Sequence, residues 1–148
     1  MDAAPEQIEV RNRVREAIAF YETAGKEATL REIDKPDGQF VRDERYLFAV
    51  DLEGNMLAHP MDKQLIGRSL IDLRDCFGKS FIRKIVDVAK TRGYGFTEYE
   101  WQVPRGEING RKTTFFERVD SMVLCCGFYD TKKPCYESIF DRLFGPLE

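Results

Sequence analysis

The sequence predicts an α+β fold, in which helices and antiparallel strands are segregated rather than alternating. Two observations carry the prediction. The helical period of apolar residues dominates the start and the middle of the chain, whereas β-favouring runs follow one another with only turns between them. Composition sets the scale: 148 residues that are 43% hydrophobic, 12% aromatic and 33% charged describe one globular domain with a real core.

From Glu6 to about Ala24, apolar residues recur at Ile8, Val14, Ala17, Ile18 and Tyr21 among charged ones, which predicts a helix with a polar face outward. The apolar stripe is modest for so long a helix, which suits one lying across a sheet or pairing with a copy of itself. Gly25 interrupts it, and "KEATLREID" resumes as a short helix ending before Pro36-Asp37-Gly38. "RYLFAVDLEGNMLAHP" reads as a hairpin, with Tyr46 to Val50 as its first strand. Asp51 opens the turn and Gly54 takes the left-handed position closing a three-residue loop. "QLIGRSLIDLRD" is irregular with one helical turn. Phe77 to Arg92 is helical by period, with Phe81, Ile85, Val88 and Ala89 on one face and Gly93 and Gly95 stopping it.

Three strands complete the sheet of about five. "FTEYEWQV" alternates Thr97, Tyr99, Trp101 and Val103 against Glu98 and Glu100, which assigns the aromatics to the core face and the carboxylates to the other. A loop from Pro104 to Gly110 precedes "RKTTFFERVDSMVLCCGFYD", a hairpin turning near Asp120-Ser121. The tail from Pro134 to Phe144 reads as a helix or a frayed end.

Charge and motifs exclude several function classes. The net charge is −3 and the basic residues are scattered, so no stripe exists to track a phosphate backbone, and nucleic acid is not an expected partner. No apolar run approaches the roughly 20 residues of a membrane span, and "MDAAPEQIEV" is too acidic for a signal peptide. The chain is thus expected to be a stand-alone cytoplasmic domain or a domain excised from a larger protein; Leu147-Glu148, a pair that cloning often leaves, favours the second. Cys76, Cys125, Cys126 and Cys135 include no CxxC pair, and with one histidine they do not make a zinc site. Reduced core thiols are expected, the alternative being a disulfide from Cys76 or Cys135. No GxSxG, HExxH or phosphate-binding glycine loop is present, so neither an enzyme nor a cofactor is expected.

Binding remains. Tyr99 and Trp101 are core aromatics or the wall of a pocket, each with a polar tip that needs a partner. His59, the only histidine, ends an apolar stretch directly before Pro60, as a structural imidazole or as a ligand contact. Lys112, near the start of a strand, is a solvated edge charge or a ligand contact. With a three-residue loop, simple alternation puts His59 and Tyr46 on opposite faces unless a bulge near Gly54 or Pro60 re-aims one of them.

The order of these residues resembles the single Cache sensor domain of the second type. The resemblance rests on the strand beginning at Tyr46, the Asp51-x-x-Gly54 turn, Ala58-His59-Pro60, Gly67, Leu70, Asp75, Gly78-Lys79, Phe81, Tyr99-x-Trp101, Lys112, Gly127 and Tyr129. It spans residues 8–130 of a single 1–148 domain, leaving 131–148 as an extension. Phe96 stands where that family often has Trp and Phe115 where it often has Tyr, which implies a more apolar pocket or a different ligand.

The resemblance implies a PAS-like fold: a long N-terminal helix and a central antiparallel sheet. It also implies a ligand-sensing input domain of a bacterial chemoreceptor or histidine kinase, outside the cytoplasmic membrane and joined to it through segments absent from this chain. The ligand implied is a small organic acid such as acetate, propionate, pyruvate or lactate. It would be bound by Tyr46, Phe48, His59, Phe96, Tyr99, Trp101 and Lys112, with no metal and no catalytic residue. A homodimer through the N-terminal helix is the expected protein partner. The alternative is a dimerisation or interaction module of the same fold without a small ligand.

Overall fold

A computed structural model describes residues 4–103 and 109–134. Residues 104–108 of the loop expected from Pro104 to Gly110, the tail beyond Pro134, Cys135 and Leu147-Glu148 lie outside the described residues, whereas Asn109 and Gly110 are strand rather than loop. Helix α1 (Pro5–Ala24) starts with proline in its first turn, where no N–H is needed, and ends at Gly25 with φ 87°. It buries Val10, Val14 and Ala17 at helical spacing. Helix α2 (Lys26–Ile33) follows, then strands β1 (Val41–Arg42), β2 (Arg45–Asp51) and β3 (Met56–Ala58), and a 3₁₀ turn at Lys63–Leu65. Helix α3 (Phe81–Thr91) leads into β4 (Tyr94–Gln102), β5 (Asn109–Val119) and β6 (Met122–Pro134). The sheet is antiparallel in the order β1-β2-β6-β5-β4, with β3 beside β2.

Both faces of this sheet are covered. On one, Phe81, Ile82, Ile85, Val86 and Ala89 of α3 pack on Phe48, Val50, Tyr99, Phe116, Val123 and Cys125. On the other, α1 and α2 bring Val10, Val14, Ala17 and Ile33 against Leu47, Ala49, Phe115, Leu124 and Cys126. The central strands β2 and β6 therefore read as continuous apolar runs, and the adjacent Cys125 and Cys126 serve opposite cores. Each fully buried aliphatic side chain contributes about 1.5–3 kcal/mol.

Three expectations need correction. α3 begins at Phe81 rather than Phe77, because the Asp75 carboxylate accepts from the N–H groups of Phe77 (3.0 Å) and Lys79 (2.9 Å) and holds a non-helical loop through Gly78. Glu100 does not face water: its side chain is 1% exposed. Cys76 is disulfide-bonded rather than reduced, whereas Cys125 and Cys126 are free and buried.

The first hairpin settles the histidine's direction. Asp51 N–H bonds to the Asn55 carbonyl (3.0 Å), which leaves the three-residue loop 52–54 with Gly54 at φ 88°. Val50 then faces Met56, but Ala49 faces Ala58, so Leu57 is an extra residue on β3. That bulge moves His59 to the face of Tyr46 and Phe48, with ring centroids 5.1 and 5.8 Å away.

Candidate functional site

The second hairpin builds the centre of the site. Its two-residue turn at Asp120-Ser121 sets Val119 opposite Met122 and thereby Lys112 opposite Tyr129, while Tyr99 of β4 faces Lys112 from the other side. Tyr99, Lys112 and Tyr129 thus form a row across one face of the sheet. Lys112 is 1% exposed, and its Nζ donates to the Tyr46 hydroxyl at 3.1 Å. The ammonium lies 4.2 Å from the ring centre of Tyr46, 5.0 Å from Phe48, 5.4 Å from Tyr129 and 6.0 Å from Tyr99. Gly127 makes this burial possible. A Cβ there would meet Lys112 Cε at 2.6 Å and Thr114 Oγ1 at 2.5 Å.

Burial opposes the charge on Lys112, whereas coulombic attraction to Tyr129, Tyr46 and Tyr99 and the hydrogen bond to the Tyr46 hydroxyl favour it, and the balance holds the lysine well above its usual range. The ammonium is therefore charged at neutral pH. Among the described residues no carboxylate pairs with it. The Tyr129 hydroxyl donates to the Gln102 carbonyl (2.9 Å), leaving its lone pairs toward the Tyr46 hydroxyl 3.5 Å away. The Tyr99 hydroxyl pairs with Thr114 at 2.9 Å, and burial pushes it up to about 12. Its ring stacks on Phe81 at 4.0 Å, and Phe81 in turn meets the edge of Trp101 at 5.5 Å.

His59 is held at both ends. Its backbone N–H donates to Asp34 Oδ1 and its Nδ1 accepts from the Asp62 N–H, each at 2.9 Å. Burial, then Lys112 and Lys63, lower its pKa to about 3, so the ring is neutral and carries its proton on Nε2. A cavity of about 270 Å³ opens beside it, lined by Tyr46, His59, Met61, Asp62, Trp101, Gln102 and Val103.

Of the residues singled out from sequence, Tyr46, His59 and Trp101 line this cavity, and Lys112, Phe48 and Tyr99 form the layer behind Tyr46. Phe96 does not belong. Strand parity places it on the opposite face, 39% exposed, with its ring 5.1 Å from Phe115. Phe115 lies on that face too, under the Arg15 guanidinium at 5.7 Å, so neither substitution changes the cavity. Tyr129, Asp62, Met61, Gln102 and Val103 were not singled out as binding residues. Tyr129 was within reach of sequence reasoning, because a turn at Asp120-Ser121 pairs it with Lys112. Burial pushes the Cys126 thiol up to about 12 and the Cys125 thiol higher still, the reverse of what a nucleophile needs.

The model of Single Cache domain 2 matches residues 7–131. Among solved structures, a periplasmic sensor domain of a chemotaxis protein is 26% identical, with a TM-score of 0.66 over 82% of this chain and 88% of that one. A Cache chemosensory domain described for carboxylic acid recognition is 22% identical, with a TM-score of 0.72 over 86% and 99%. A methyl-accepting chemotaxis protein from Vibrio parahaemolyticus is 23% identical, with a TM-score of 0.68 over 83% and 84%. The helix-backed antiparallel sheet and the match over nearly its whole length show that the chain belongs to the single Cache domain 2 family, the sensor domains of signalling proteins.

Proposed function

We propose that this domain is the extracytoplasmic input module of a bacterial chemoreceptor or histidine kinase, and that it binds a small monocarboxylate in the cavity between Tyr46, His59 and Trp101. One observation carries this reading: Lys112 is a fully buried ammonium that, among the described residues, donates to the Tyr46 hydroxyl and has no carboxylate partner. The aromatic rings and the Tyr46 hydroxyl hold the ammonium charged, but among the described residues they supply no anion to neutralise it. A ligand carboxylate in the cavity supplies the missing charge. It accepts from His59 Nε2 and from the Tyr46 hydroxyl, whose oxygen relays it to the ammonium, while Trp101, Met61 and Val103 wall the aliphatic tail.

The Cys76 disulfide supports an oxidising compartment, and the carboxylic acid recognition described for a structural neighbour supports the ligand class. Affinity is bounded by size. Four or five heavy atoms at ~1.5 kcal/mol each yield at most about 7.5 kcal/mol, hence micromolar or weaker dissociation constants. Output is through α1, which packs on the reverse of the strands that carry Lys112 and Tyr129 and is the surface for pairing with a second copy.

A thermal-shift panel of C2 to C4 carboxylates tests the reading. Ligand at ~100 times its dissociation constant adds about 2.7 kcal/mol, a rise of several degrees for a domain of this size. A flat panel in the wild type overturns the ligand reading and leaves an interaction module.

A further inference from the structure

A second cavity, of about 230 Å³, lies at the outer edge of β4, away from Lys112. Among the described residues no strand continues the sheet there. The 75–79 loop covers the edge instead: Asp75 Oδ2 accepts from the Glu100 N–H at 3.0 Å, and the Lys79 ammonium donates to the Glu98 carbonyl. Glu100 is turned by strand parity to the face opposite Tyr99, and its side chain is 1% exposed. Its Oε1 lies 3.6 Å from Arg111 Nε, a long ion pair, and its Oε2 is buried without any hydrogen-bond partner. A buried carboxylate oxygen in this state is rare, because each such group forfeits its hydration.

The lining says what would satisfy it. Asp75, Glu98 and Glu100 face Lys79 and Arg111, three carboxylates against two cations. Asp75 is already occupied by three backbone N–H groups, and Lys79 by the Glu98 carbonyl. Glu100 has only the long Arg111 pair and the Glu98 carboxylate has no ion pair among the described residues, so the excess negative charge lies between Glu98 and Glu100. Among the described residues no three acidic, imidazole or thiol groups converge as a metal ion requires. What fits is a compact cation that donates hydrogen bonds to one carboxylate. We propose that this cavity is a second ligand site, taking a small primary ammonium ion that sits between the Glu98 carboxylate and the Phe77 ring and draws the buried Glu100 Oε2 toward the cavity to accept from it.

The test is a titration of the ¹⁵N-labelled domain with ethylammonium chloride, followed by amide spectra, against sodium chloride and sodium acetate at equal ionic strength. Expected are saturable shifts at the amides of residues 77–79 and 98–100 with ethylammonium alone, and at least a tenfold loss of affinity in Glu100→Gln. The wild-type shift map decides the matter even if that variant misfolds. Shifts that follow ionic strength, fail to saturate or gather around His59 overturn the site. Lys112→Met keeps the ammonium response while losing any acetate response, so the two sites stand or fall separately.

Discussion

The Lys112 ammonium donates to the Tyr46 hydroxyl at 3.1 Å while lying 4.2 Å above the same ring, so one side chain serves it both as acceptor and as π-face. This tyrosine also lines the cavity beside His59 and Trp101, in which the carboxylate is proposed to bind. Lys112→Met keeps the stem's volume and removes the charge. Replacing a buried ion by an apolar isostere is commonly neutral or stabilising. The variant is expected to melt at or above the wild-type temperature and to bind its carboxylate at least 100-fold more weakly by calorimetry. A variant that binds as tightly as wild type removes Lys112 from the site.

Gly127 is the complement of that lysine. Gly127→Ala sets a methyl group against Lys112 Cε and Thr114 Oγ1, and such overpacking costs about 1–3 kcal/mol. Because part of the clash is with Lys112, the cost in a Lys112→Ala background is expected to fall. Urea unfolding of the four proteins of this double-mutant cycle reads the coupling. Strict additivity would show that the glycine is kept for Thr114 and the backbone alone.

The fold was legible in the sequence because its signals were redundant. Helical period, the Asp51 and Gly54 turn and the Asp120-Ser121 turn each specified an element independently, and the second turn also fixes the row from Lys112 to Tyr129. Facing was less legible, because it depends on single residues. One extra residue, Leu57, decides the direction of His59, and no local propensity marks it. Phe96 was misassigned on family position although its parity with Glu98 places it across the sheet from Trp101. Glu100 was assigned to the face away from the core because alternation reveals which face a residue takes but not what covers that face.

His59 gives a pH dependence with a definite sign. Its folded pKa of about 3 lies below the 6.5 of an unperturbed imidazole, so between these values the unfolded chain binds the proton and the folded chain does not. The associated stability is complete above pH ~6.5 and is lost progressively as pH falls toward 3. In His59→Asn, whose side-chain oxygen can still accept from the Asp62 N–H, this component vanishes. Denaturant unfolding at pH 7 and pH 5 is expected to show a smaller loss on acidification in the variant than in wild type. Equal losses would show that the imidazole is not held neutral by its burial.

Asp62 sets a limit on ligand charge. Its carboxylate lines the same cavity as His59, and its backbone N–H fixes the imidazole tautomer. The site behind Tyr46 offers one cation, Lys112, which a single carboxylate neutralises. A second carboxylate on the ligand would stand near Asp62, with no further positive group among the described residues that line the cavity, and like charges brought together out of water repel strongly. Succinate and malonate are therefore expected to bind at least tenfold more weakly than propionate. Asp62→Asn removes the repulsion while keeping the backbone donor to His59 Nδ1, so it should narrow that gap by raising dicarboxylate affinity with little change for propionate. Calorimetric titration of both acids into both proteins separates the cases. A parallel loss for both acids would mean that Asp62 acts on the His59 loop rather than on the ligand's charge.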